Sequence, residues 1–173
     1  KAEIPGSNRG IIEKDDGKAY RGKSGGLGEI DISSFNENEL NELTSSPSGP
    51  AIAIYDDGRK LVTNQGSKLV NYDIINQEIL NEKTGMNVSE FSVDDQFIYG
   101  TSGGELLVWD HNLNEQASIE KGGLSGSPPI PYEDDNGNKR VIMTDDAFGG
   151  NLKIYDINSG DFEWELDHNG TIG

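Results

Sequence analysis

Four segments of the chain repeat one pattern, and this repetition constrains the fold more than any other feature of the sequence. Each segment begins with small residues, has leucine at its fourth position and an apolar or aromatic residue at its seventh, and ends in aspartate. The segments are residues 24–31, 66–73, 103–110 and 149–156. Their closing aspartates, Asp31, Asp73, Asp110 and Asp156, lie 42, 37 and 46 residues apart. A period of this length is typical of folds that repeat one supersecondary unit.

Apolar runs around each segment predict about four short strands in every unit. One run is joined to the segment by glycine, serine or asparagine, which is the pattern of a β-hairpin. An earlier run ends in an acidic turn, at residues 15–17, 56–58, 94–95 and 134–137. Four antiparallel strands per unit predict an all-β fold, a single β-propeller over residues 1–173 with about four four-stranded blades. The predicted blades are residues 10–48, 49–86, 87–122 and 123–170.

Helical periodicity is nearly absent from the chain. The one candidate is the segment 36–46, where Leu40 and Leu43 are three residues apart. That segment is short and polar, and apolar residues at helical spacing would have to continue for longer to favour a helix clearly. A short helix and a loop insertion within the first unit therefore both remain open.

The fourth unit carries a resemblance to a known family. From Asp156 onward the chain has Ser159 and Gly160 in a turn and then Trp164. This resembles the repeat of the PQQ-like (quinoprotein-like) β-propellers, in which the tryptophan docks between neighbouring blades. Ile154 stands where that family prefers alanine. The endings Tyr72-Asp73 and Trp109-Asp110 of the second and third units are also similar to WD-type repeats, and the resemblance covers residues 10–170.

The fourth unit also resembles repeats that carry a calcium loop. Calcium loops of this kind alternate Asp and Asn and then place a glycine. The candidate ligands are Asp134, Asn136 and Asn138, but Lys139 occupies the usual glycine position and Ile142 the position of the closing carboxylate. The other interpretation is a plain hairpin turn, since Asp, Asn and Gly tolerate left-handed backbone. No other cofactor is expected.

The number of units predicts that the chain is part of a larger propeller. Propellers commonly close with 4–8 blades, and PQQ-like propellers have more than four. Residues 169–173 resemble the opening of a further unit, as seen at residues 122–126. We therefore expect the remaining blades to come from a missing region or from another chain.

Charge and composition exclude several classes of partner. The net charge is −17, with 14 Lys and Arg against 31 Asp and Glu. Nucleic acids would be repelled, because their binding depends on cations that neutralise phosphates, and anionic membrane surfaces are disfavoured for the same reason. No window approaches the roughly 18 apolar residues of a membrane-spanning helix, so direct membrane insertion is not expected. The chain has no cysteine, which excludes disulfides, thiol nucleophiles and thiolate metal sites.

The repeated residues are predicted to be structural rather than reactive. Trp109 and Trp164 are expected to pack between blades, although they could line a ligand pocket. An aspartate at the end of a strand accepts backbone N–H groups and holds a turn, so this role is predicted for Asp31, Asp73, Asp110 and Asp156. His111 and His168 show no metal-binding spacing, and no Gly-x-Ser-x-Gly motif for a hydrolytic serine occurs.

These patterns predict a non-catalytic binding or scaffold module that contacts a protein partner. The acidic turns 56–58, 94–95 and 134–135 are the predicted partner-facing loops, for a basic protein surface or for cations, and simple solvation is the alternative. The alternative function, implied by the resemblance alone, is part of a PQQ-dependent dehydrogenase. The resemblance also implies an extracellular, cell-surface or periplasmic location within a larger protein.

Overall fold

The structure is a computed structural model, and it describes residues 11–14, 17–23, 26–34, 36–44, 52–56, 59–88, 90–120, 128–144 and 151–166. These residues form four antiparallel sheets of four strands each, and no helix is found among them. In every sheet the spatial order of the strands is their order along the chain.

Each sheet is formed by four strands that are consecutive in the chain. The first sheet contains β1 (Ile11–Lys14), β2 (Lys18–Lys23), β3 (Gly26–Asp31) and β4 (Glu37–Thr44). The second contains β5 (Ile52–Tyr55), β6 (Lys60–Gln65), β7 (Lys68–Asp73) and β8 (Glu78–Thr84). The third contains β9 (Glu90–Val93), β10 (Phe97–Ser102), β11 (Glu105–Asp110) and β12 (Glu115–Glu120). The fourth contains β13 (Ile130–Glu133), β14 (Lys139–Thr144), β15 (Leu152–Asp156) and β16 (Phe162–Leu166).

The segment 36–46, for which a helix and a loop were both open, is mainly a strand, so both expectations were wrong. Residues Glu37–Thr44 form β4, which pairs with β3 and completes the first sheet. The pairing begins at Ile30 opposite Glu37 and ends at Gly26 opposite Thr44, with an irregularity between Gly26 and Gly28. Backbone pairing with a neighbouring strand outweighed the weak helical spacing, because strand preference depends strongly on context.

Glycines at two equivalent hairpins explain why the repeat needs small residues there. Gly66 has a φ of 60° between β6 and β7, and Gly103 has a φ of 59° between β10 and β11. Each is the first residue of a two-residue turn, because Gln65 pairs with Lys68 and Ser102 pairs with Glu105. A positive φ at this position suits a tight hairpin and is strained for residues with a Cβ atom.

The chain divides into two compact units, residues 1–87 and 88–173, and each has its own core. In the first unit, Tyr20 of the first sheet clusters with Leu61, Val70 and Tyr72 of the second. In the second unit, the core between the third and fourth sheets consists of Tyr99, Leu106, Val108, Ile119, Val141, Met143, Tyr155 and Ile157. Each core thus lies between the facing sides of two consecutive sheets. Within the described residues, no helix is long and apolar enough to cross a membrane.

Candidate functional site

Carboxylates gather at one end of the sheets in each unit. Because consecutive strands are antiparallel, the first and third turns of a sheet lie at the same end. The first turns hold Asp56, the pair Asp94 and Asp95, and the pair Asp134 and Asp135, while Asp57, Gly58 and residues 15–16 lie outside the described residues. The third turns follow the four closing aspartates. We call these first and third turns, taken within each unit, the acidic edge.

Each closing aspartate holds the turn that follows it. In all four sheets its Oδ1 accepts two backbone N–H groups, at distances of 2.7–3.0 Å. The donors are Ser33 and Ser34 for Asp31, Ile75 and Asn76 for Asp73, Asn112 and Asn114 for Asp110, and Asn158 and Ser159 for Asp156. The carboxylate thereby satisfies backbone donors that the tight turn leaves without a strand partner.

In two of the first turns, an aspartate accepts two backbone N–H groups in the same way. Oδ1 of Asp94 accepts the N–H groups of Gln96 and Phe97 at 2.8 and 2.7 Å. Oδ1 of Asp134 accepts those of Asn136 and Asn138, each at 2.9 Å. The positions of these carboxylates are therefore set by the backbone and not by flexible side chains.

These hydrogen bonds favour the ionised form of the carboxylates. The Ser33 hydroxyl lowers the pKa of Asp31, the N–H of Asn76 lowers that of Asp73, and the N–H of Ser159 lowers that of Asp156. At Asp94, desolvation alone would raise the pKa, but the bonds from Gln96 and Phe97 and the Tyr99 hydroxyl lower it overall. An acid or base in catalysis works best with a pKa near the working pH, so these groups are better suited to present charge than to transfer protons.

Lys139 connects the fourth sheet to the first turn of the third. Its Nζ lies 3.1 Å from Oδ1 of Asp95 and 3.5 Å from both Oδ2 of Asp94 and Oε2 of Glu133. Desolvation alone would lower the pKa of Lys139, but the hydrogen bond to Asp95 and the nearby carboxylates raise it overall. The hydroxyl of Tyr99 donates to Oδ2 of Asp94 at 2.8 Å, which completes this cluster.

Arg140 links two turns of the fourth sheet. Its Nη2 lies 3.3 Å from Oδ2 of Asp134, and its Nη1 donates to Oδ2 of Asp156. The arginine side chain is nearly buried, and its fork of donors can serve two carboxylates at once. The first and third turns of this sheet are therefore joined at the acidic edge.

The calcium candidates Asp134, Asn136 and Asn138 lie together in one turn. Both Asp134 oxygens accept hydrogen bonds: Oδ1 from the two N–H groups, and Oδ2 from Nδ2 of Asn138 at 2.9 Å. The hydrogen bond from Asn138 lowers the pKa of Asp134. Among the described residues, no group of three or more His, Asp or Glu side chains is arranged to hold a metal. Calcium binding here stays a prediction for a calcium titration.

Trp109 is fully buried and packs on the backbone of the neighbouring strand. A Cβ atom on Gly100 would lie 2.8 Å from Cζ3 of Trp109 and 2.8 Å from Cγ1 of Val88. The glycine thus leaves room for the indole ring. Trp164 belongs to β16, and its side chain lies outside the described part of the chain.

His111 lies at the acidic edge, with Nε2 3.1 Å from the carbonyl oxygen of Asp94. A carbonyl oxygen only accepts, so this nitrogen carries the hydrogen of the bond. The second histidine, His168, lies outside the described residues.

Sequence reasoning missed the cations of the acidic edge, Lys139 and Arg140. A usable signal was present for Arg140, because the strand register places a residue of the second strand opposite each closing aspartate. These opposite residues are Lys18, Lys60, Phe97 and Arg140. Three of the four are basic, which predicts ion pairs at that end of the sheet.

The chain is similar to many solved structures, including the following two. The β-propeller domain of Cps50 (Swd1) from Myceliophteria thermophila matches with a TM-score of 0.69 and 12% identity, over 98% of this chain and 58% of that chain. A chain of a mitotic checkpoint complex matches with a TM-score of 0.72 and 14% identity, over 98% of this chain and 56% of that chain. No protein-family model matches the chain, and no curated protein matches it.

The predicted fold is confirmed: it is an all-β propeller, and each of the four four-stranded antiparallel sheets formed by the described residues is one blade. The chain spans less than two thirds of the length of the similar chains, which is consistent with part of a larger propeller. The likeness shows the propeller fold, and both the WD-type and the PQQ-like sides of the resemblance stay predictions.

Proposed function

We propose that the chain is a non-catalytic propeller module that binds a basic surface of a protein partner at the acidic edge. The observation that carries this proposal is the set of carboxylates fixed by backbone N–H groups at one end of every sheet. Rigid, preorganised groups lose little conformational freedom on binding. The likeness to a chain of a mitotic checkpoint complex supports a role in protein assembly.

The lowered pKa values of the edge aspartates support a non-catalytic role. Anionic carboxylates steer a basic partner by long-range attraction, and this attraction weakens with added salt. Asp95 and Asp135 are exposed, so they are the carboxylates that a partner would meet first.

Affinity capture with two charge variants tests this proposal. Asp95→Asn with Asp135→Asn removes two charges from the acidic edge. The matched control, Glu105→Gln with Glu120→Gln, removes two exposed charges from the opposite end of the third sheet, where these residues pair. Partners from the source cells should be retained by the wild type and the control and lost by the edge variant. Equal retention by both variants would rule out binding through the edge.

We also propose a location outside the cytoplasm, supported by the resemblance of the fourth unit to PQQ-like repeats. Fractionation of the source cells tests the location. The alternative function, part of a PQQ-dependent dehydrogenase, has the same support and is tested by reconstitution with PQQ and calcium. Reduction of a dye acceptor by the reconstituted protein, with an alcohol substrate added as the electron donor, would replace the scaffold function.

A further inference from the structure

The second sheet has an apolar corner that the third sheet lacks. Among the described residues, the large hydrophobic side chains that remain exposed are Ile75 at 58%, Ile79 at 36%, Leu80 at 36% and Ile130 at 58%. Three of them lie within six residues, where the third turn of the second sheet enters β8. We call Ile75, Ile79 and Leu80 the β8 corner.

The fold does not require apolar residues at the β8 corner. The repeat places Asn112, Glu115 and Gln116 of the third sheet at the positions of Ile75, Ile79 and Leu80, and all three are exposed. At position 75 the turn uses only the backbone N–H, which Ser33, Asn112 and Asn158 supply equally well in the other sheets. Exposed apolar side chains that the fold does not need mark interaction surfaces.

The β8 corner lies on the outer edge of a sheet. β8 is the last strand of the second sheet, and no described strand pairs with its outer side. The register along β7 shifts between Asn71 and Tyr72, which leaves Leu80 as the extra residue of a bulge. An outer edge offers backbone N–H and C=O groups to an added strand, and proteins usually protect such edges with charged residues. β12 has Glu115 and Gln116 at the positions where β8 has Ile79 and Leu80, although β8 also carries the charged residues Glu78, Glu82 and Lys83.

Charge indicates which kind of chain segment would pair with the outer edge of β8. Exposed Glu78 directly precedes Ile79 on β8, whereas Glu82 already pairs with Lys68 of β7 at 3.0 Å. A second copy of the chain is disfavoured here, because each copy has a net charge of −17 and like charges repel each other. An added strand that carries lysine or arginine would instead meet opposite charges, and cross-strand pairs of opposite charge are favourable.

We propose that the edge of β8 binds an extended segment of a partner protein as a fifth strand, with apolar residues against the β8 corner and a basic residue beside Glu78. Main-chain hydrogen bonds would supply affinity and the side chains selectivity, as in other cases of strand addition. The β8 corner is a different surface from the charged groups of the acidic edge. It can bind a partner segment whether or not the acidic edge binds a partner.

A labelled peptide tests strand addition directly. The probe is a fluorescein-labelled peptide of alternating lysine and valine, as long as the 7 residues of β8, and binding is followed by fluorescence anisotropy. The test variant is Ile75→Asn with Ile79→Glu and Leu80→Gln, which imports the residues of the third sheet. The wild type should bind saturably, and the variant should bind at least about tenfold more weakly. Because Ile79→Glu adds a negative charge, simple attraction of the basic peptide predicts the opposite change.

Three controls make the outcome decisive. The same peptide with N-methylated valines cannot form the main-chain bonds and should not bind. Asn112→Ala with Gln116→Ala in the third sheet, and the edge variant Asp95→Asn with Asp135→Asn, should bind as the wild type does. Equal binding by the triple variant, no saturation up to about 1 mM, or a dimer by light scattering without peptide would each overturn the proposal.

Discussion

The second and third sheets are built on the same repeat but fill one equivalent position in different ways. In the second sheet, Tyr72 lies on β7 and Thr63 lies on the neighbouring strand β6. Both side chains are buried. In the third, Trp109 replaces the tyrosine and Gly100 replaces the threonine. The larger ring needs the space that the glycine leaves. The repeat thus specifies a volume shared between two strands and not the residue at either position.

The largest expected effect is that of Gly100→Ala, which removes the space beside Trp109. The new Cβ atom would lie 2.8 Å from both Trp109 and Val88, so either the ring or the strand has to move. Overpacking of this kind destabilises a protein by about 1–3 kcal/mol. Urea unfolding at equilibrium measures the loss.

A double variant sharpens the comparison. Gly100→Thr with Trp109→Tyr imports the pair of the second sheet and should be more stable than Gly100→Thr alone. If the changes in unfolding free energy of Gly100→Thr and Trp109→Tyr add up to the change of the double variant, the two positions are not coupled.

The closing aspartates test what the two sheets share. Asp110→Ala leaves the N–H groups of Asn112 and Asn114 without their acceptor and should lower the free energy of unfolding by about 1 kcal/mol. Asp73→Ala should act in the same direction. Asp110→Asn keeps one acceptor oxygen and serves as the control. Thermal unfolding that did not distinguish Asp110→Ala from Asp110→Asn would contradict the role of the carboxylate as acceptor.

A smaller difference is expected between the two basic residues Lys139 and Lys60. Lys139 reaches the first turn of another sheet, whereas Lys60 pairs with Asp56 in its own sheet at 3.0 Å. Partly exposed ion pairs contribute about 0.2–1 kcal/mol. Lys139→Ala should therefore cost more than Lys60→Ala at low salt, and the two should converge at about 1 M salt, where screening is strong. An unchanged difference at high salt would argue for lost packing of the lysine stem.

The smallest expected effect is a change in the acid sensitivity of the fold. The folded pKa of Asp94 is below its ordinary value of 3.8, so the ionised group stabilises the fold above that pH. This contribution is lost as the pH falls through the lower, folded pKa. Asp94→Asn keeps an acceptor for Gln96 and Phe97 but cannot titrate. Urea midpoints between neutral pH and about pH 2.5 should fall less steeply for the variant, and parallel curves would exclude a contribution from Asp94.

The interpretation of the sequence was strongest where the repeat imposes local geometry. Gly66 and Gly103 indicated the hairpins, and the closing aspartates indicated the turns, because both depend on residues adjacent in the chain. It failed at residues 36–46, where Leu40 and Leu43 suggested a helix or a loop and β4 formed by pairing with β3. It also missed Lys139, whose partner Asp95 is 44 residues away.

The amino-acid sequence alone determined the period, the four-stranded unit and the position of an aspartate at the end of each third strand. These features follow from turn chemistry and from short apolar runs, which act over a few residues. Only the tertiary structure decided which carboxylates share Lys139 and Arg140, that Gly100 makes room for Trp109, and that Ile79 and Leu80 stay exposed on β8. The physical reason is that burial and ion pairing depend on residues distant in sequence, which only the packing of sheets brings together.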